Sequence, residues 1–161
     1  MIHSIGKWQL EVDASATRDV YERTSRGSPA DCDCTICRNF SALGDTAFPS
    51  DFREAAERLG VDYHKAAEIH EWFGFRDNHL DYGGWFHCIG RVTSGPAESD
   101  RDTSPGEWPW YDLTDSFKIV VDNRRDLAFE EFGDQPLVRV EFYAREAWVL
   151  SEPYPGEGHE R

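Results

Sequence analysis

The chain changes the period of its hydrophobic positions several times. Residues 7–12, Lys-Trp-Gln-Leu-Glu-Val, alternate, so that Trp8, Leu10 and Val12 share one side as in a half-buried strand. Residues 19–23 read as a second short strand, and Ser25-Arg26-Gly27-Ser28-Pro29 then breaks the pattern. From about 35 to 70 the spacing becomes helical. Asp51 with Glu54 forms a capping pair ahead of Phe52, Ala55, Ala56 and Leu59, and Gly60 supplies the stop. Asp62 reads as the cap of a further short helix in which Ala66, Ile69 and His70 share a face, and another turn of helix follows Cys37.

Beyond Trp72 the period falls to two. Residues 81–92 are the strongest strand, with Phe86, Cys88 and Val92 on one face and Trp85, His87 and Ile89 on the other. Apolar residues on both faces predict a strand covered on both sides, and Gly83-Gly84 and Gly90 predict bulges or close backbone approach. Residues 93–115 read as a long polar loop whose Trp108-Pro109-Trp110-Tyr111 end packs down. Phe117 to Val121, Leu137 to Tyr143 and Ala147 to Leu150 are read as strands. The sum is an α+β domain over residues 1–150, its sheet mostly antiparallel (a sandwich or half-barrel), with a helical insert at about 35–70. Residues 151–161, rich in Pro, Gly and Glu, are expected to form a flexible acidic tail.

Composition narrows the partners. Six Trp, six Tyr and ten Phe supply a dense core from a chain that is only 39% hydrophobic. Seventeen basic against 31 acidic residues leave a net charge of −14, and Lys7, Lys65 and Lys118 are the only lysines. Phosphate backbones are bound by clustered Lys and Arg, so nucleic acid and anionic membrane are excluded as expected partners. A basic protein or a small cationic ligand fits better. The N-terminal residues lack a signal-like apolar run and no stretch approaches a membrane span, so the expected compartment is cytoplasmic.

The pointed chemistry is Cys32-x-Cys34-x-x-Cys37. Thiolates are soft ligands, and Zn(II) accepts three of them with an imidazole in a tetrahedral site. The two-residue gap lets sulfurs converge where the chain turns into a helix, whose free N–H groups stabilise thiolates. His87 or Cys88 on the central strand is the expected fourth ligand, with His64, His70 or Asp33 as substitutes. Inert buried thiols and redox or nucleophilic thiols are the competing readings. Asp31 and Asp33 weigh against redox chemistry, since like charge raises a thiol pKa. Trp72, Phe73, Phe75, Trp85, Phe86, Trp108 and Trp110 also suggest a cleft for an apolar or cationic ligand. No phosphate-cradling glycine loop, serine elbow or dinucleotide fingerprint is found in the sequence.

The run Cys32-Asp-Cys34-Thr-Ile-Cys37-Arg38-Asn39-Phe40, then Leu59-Gly60-Val61-Asp62, Lys65 and Tyr82-Gly83-Gly84-Trp85-Phe86-His87, resembles a group of small bacterial proteins of unknown function. The resemblance carries no activity, and implies that Cys32, Cys34, Cys37 and His87 form one linked set, without Cys88. Two functional readings follow. The first is a non-catalytic binding protein with a Cys-centred structural zinc site. The second is a thiol- or metal-dependent enzyme using Cys34 or Cys37 with His87.

Overall fold

The computed structural model of the chain describes residues 1–72, 74–97 and 103–156. Its strands are β1 (Ile2–Ile5), β2 (Trp8–Val12), β3 (Glu68–Glu71), β4 (His79–Ser94), β5 (Tyr111–Thr114), β6 (Phe117–Asp122) and β7 (Leu137–Ala147). Its α-helices are α1 (Ala14–Arg23), α2 (Thr35–Leu43) and α3 (Ser50–Leu59). The strands make one seven-stranded sheet in the order β1-β2-β4-β7-β6-β5, with β3 also paired to β4. Every pairing is antiparallel. The fold is therefore α+β with an antiparallel sheet, as the strand–helix–strand order predicts.

β4 is central because it pairs on both sides. Its residues 79–89 pair along β7, while β3 takes residues 82–85 and β2 takes residues 90–94 on the opposite edge. Helices α2 and α3 cover one sheet face and bury the aromatic payload there. Phe40 of α2, Phe48, and Phe52 of α3 meet Phe86, Phe117 and Phe142 of the sheet, the last two stacked at 5.4 Å. Each such ring removed from water contributes about 2–3 kcal/mol, so a few rings anchor α2 and α3 to the strands. Gly60 ends α3 in the left-handed region at φ 79°, where a Cβ would lie 2.2 Å from the Ala14 carbonyl oxygen. Gly83 is needed for another reason: a Cβ there would lie 1.8 Å from Trp72 Nε1.

Three expectations are corrected. Residues 19–23 belong to α1, which begins where the Asp13 carboxylate accepts the Ala16 N–H at 2.9 Å and buries Thr17, Val20 and Tyr21. Five residues are too few to separate a strand period from a helical one. Asp62 caps no helix; it accepts the His64 N–H in a turn, and Ile69 and His70 stand on β3 instead. No final strand forms over 147–150, because the Trp148 and Val149 N–H groups go to the Asn78 carbonyl and to Asn39 Oδ1. Within the expected tail, Tyr154 is 7% exposed and stacked on Phe75 at 4.4 Å, while Ser151, Glu152, Pro153 and Pro155 are exposed. The rest of the expected tail, 157–161, lies outside the described residues, as does Phe73.

The aromatic cleft is redistributed in the same way. Phe86 belongs to the core and Phe75 to the packing of Tyr154. Trp72, Trp85, Trp108 and Trp110 are half-buried, but the protein's own cations use two of these rings. Lys118 Nζ lies 5.0 Å from the Trp110 ring and 4.9 Å from Tyr143, and Arg139 lies 5.0 Å from Trp85. That internal occupation opposes capture of an external cation on those faces.

Candidate metal centre

The loop before α2 is fixed at both ends. Ser28 exchanges backbone hydrogen bonds with Ala66 at 2.9 and 3.1 Å, and Lys65 donates to the Tyr21 and Thr24 carbonyls. Cys32 N–H then bonds the Pro29 carbonyl at 3.0 Å, which folds the chain back toward the helix. Cys34 is the N-cap of α2, and its sulfur accepts the Cys37 N–H at 3.4 Å. The cap position and the first helical turn thus bring the sulfurs of residues 34 and 37 to one side. The single residue between Cys32 and Cys34 keeps the third sulfur beside them.

The result is a convergent trio. The sulfurs of Cys32, Cys34 and Cys37 all lie within 4.8 Å of one another, and the first two are 3.2 Å apart. A disulfide requires about 2.05 Å, and all four cysteines of the chain are free thiols. Tetrahedral Zn(II) with bonds of about 2.3 Å sets its sulfurs ~3.8 Å apart, so small side-chain rotations bring the trio to that spacing. Cys32 and Cys34 are exposed, whereas Cys37 is buried against the sheet. Three soft donors of this kind fit a thiophilic divalent ion.

The charges differ across the trio. The Cys34 backbone N–H, followed by the neighbouring thiols, lowers the pKa of Cys32. Asp33 raises it as expected from the sequence, but is outweighed by that hydrogen bond. Burial, then Cys32 and Cys34, push the Cys37 thiol well above its ordinary value. Arg38, on the rim, donates to the Asp33 carbonyl from Nε at 3.2 Å and pairs with Glu152. Because a metal binds the thiolate, loading this centre displaces protons, and affinity rises with pH.

None of the expected fourth ligands joins the trio: among the described residues, no other His, Cys, Asp or Glu brings a ligand atom into it. The trio sits at the Tyr82 end of β4, where the Tyr82 hydroxyl donates to the Ile36 carbonyl of α2 at 2.8 Å. His87 and Cys88 lie five and six residues further on, roughly 17–20 Å along an extended strand. His87 also points to the opposite sheet face, edge-on to Phe132, while Cys88 is buried with its thiol pushed up to about 12. His64 bonds Asp45 at 2.8 Å and Asp62 at 3.1 Å, and His70 packs between Trp72 and Trp85. Asp33 is next to two of the cysteines in sequence, yet its carboxylate stays outside the group.

That opposite face holds a polar group the sequence does not announce. Arg139 pairs with Asp122 through two hydrogen bonds of 3.0 and 2.7 Å, their side chains 3% and 0% exposed. Glu141 lies 3.5 Å from the same guanidinium. His87 is beside them at 1% exposure, its ring next to the Arg124 backbone. Burial, then the Arg139 charge, lower its pKa to about 4. The signal for this group is register: β6, β7 and β4 place Asp122, Arg139 and His87 side by side. No protein-family model matches the chain, and no curated protein or solved structure matches it.

Proposed function

We propose that this is a zinc-holding binding protein in which Cys32, Cys34 and Cys37 grip Zn(II) at the head of α2. The carrying observation is the convergence of their sulfurs within 4.8 Å at a helix N-terminus. In this reading the metal is structural: it ties the loop before α2 to its first turn and orients Arg38 beside it. The partner is a basic protein or small cationic ligand drawn by the chain's charge of −14. The enzyme reading that pairs Cys34 or Cys37 with His87 is disfavoured by their separation along β4.

Metal content of freshly purified protein tests the reading, with Cys34→Ser as control. Serine is itself a good N-cap, so the variant keeps the start of α2 and removes only a sulfur. The expected result is one zinc per wild-type chain and its loss in the variant. Equal zinc in both proteins, or none in a folded wild type, would contradict it.

A further inference from the structure

The residues after Cys37 are the ones that hold the C-terminal segment. Arg38 reaches back to the Asp33 carbonyl and the Thr35 hydroxyl, and forward to both Glu152 oxygens at 2.5 and 2.9 Å. Asn39, fully buried, donates to the Ala147 carbonyl at 3.1 Å and accepts the Val149 N–H at 2.7 Å. One guanidinium therefore touches both the loop that carries the cysteines and the segment at 148–154. On its far side that segment grips the chain between β3 and β4. Trp148 and Asn78 exchange hydrogen bonds at 2.9 and 3.2 Å, and Tyr154 stacks on Phe75 and donates to Glu71 at 2.6 Å.

We propose that metal occupancy of the Cys centre latches residues 148–154 across α2 and the β3–β4 connection, so that the segment undocks when the metal is lost. This inference rests on the zinc reading above. The physical route is short. A bound ion fixes Cys34 and Cys37 in the cap and first turn of α2, and fixes the loop whose Asp33 carbonyl orients Arg38. Without it, three thiol groups compete for the same cap, and the loop that presents the Asp33 carbonyl and the Thr35 hydroxyl to Arg38 loosens, so the guanidinium is no longer held against Glu152. The latch thus gives the protein a surface, formed by Phe75, Asn78 and Glu71, that is covered in the loaded state and exposed in the metal-free one.

Amide hydrogen exchange on the full chain reads this directly, with metal content measured on the same samples. Removal of zinc is expected to speed exchange at Trp148 and Val149 at least tenfold while leaving β6 and β7 unchanged. Glu152→Gln should reproduce that acceleration in protein that still holds its zinc. If wild-type protein loses zinc with no change at 148–154, or if Glu152→Gln stays as protected as wild type, the latch is wrong and the zinc reading stands. If β6 and β7 accelerate equally on zinc removal, the ion supports the whole fold and the latch is again overturned. If the wild type takes up no zinc at all, the reading and the latch fall together.

Discussion

Two polar centres lie on opposite sides of the same strand, and they were assembled in different ways. The Cys trio is local: its members fall within six residues and converge because a loop turns into a helix there. The Asp122–Arg139–Glu141 group with His87 is drawn from three strands and exists only because the sheet register aligns them. The first is largely exposed and has soft sulfur donors. The second is buried and bound by paired charges. Exposure leaves the trio free to bind something from solution, whereas the paired charges mainly select one sheet register. A one-residue slip would bury Arg139 without Asp122.

The largest effect is expected from breaking the buried pair. Arg139→Met leaves Asp122 as an uncompensated carboxylate in the interior, which costs about 3–5 kcal/mol. Urea denaturation should show that loss, while a drop below about 1 kcal/mol would mean the group is wetter than its burial indicates.

A second, smaller effect separates the faces by pH. His87 is held down to about 4, so between its ordinary value of 6.5 and 4 the unfolded chain binds a proton that the folded chain refuses. This term weakens the fold as pH falls through that window, by up to roughly 3 kcal/mol. Glu146, raised by burial to about 8, acts with the opposite sign. Here the folded chain keeps a proton that the unfolded one has lost, so stability falls as pH rises from 4.5 toward 8. The two slopes oppose each other between pH 4.5 and 6.5. Glu146→Gln should therefore uncover an acid-sensitive protein, and His87→Phe one that weakens as pH rises. Denaturant midpoints measured from pH 4.5 to 8 check both, and parallel profiles for the two variants would refute the assignment.

The smallest effect is expected at the trio itself. In metal-free protein, Cys34→Ser exchanges one cap for another and should shift stability by less than about 0.5 kcal/mol. A thermal melt of the metal-free pair measures this. A loss above about 2 kcal/mol would show that the sulfur packs as a core group.

What was legible in the sequence follows the same division. The 51–60 helix, the central strand and the antiparallel character came from residues whose neighbours in the chain decide their state, such as Asp51, Gly60 and the alternation around Phe86. The Cys trio was legible for that reason too. β1 was missed because four residues carry little periodicity, although Gly6 at φ 54° marks the tight turn to Trp8. His87 was assigned to the trio through an imagined proximity that only the path of β4 could deny. Arg139 and Glu141 alternate with Val138, Val140 and Phe142 and so resemble a solvent face, but Asp126 reaches Arg139 at 3.5 Å and Phe132 packs on the neighbouring His87. The docking of Trp148 and Val149 and the burial of Tyr154 were missed because Asn39, Asn78 and Phe75, which hold them, are distant in sequence.

The centre itself can be read by zinc K-edge X-ray absorption on protein loaded with one equivalent of metal. The account predicts three sulfur scatterers at about 2.3 Å in the wild type. A first shell of nitrogen and oxygen alone would contradict it.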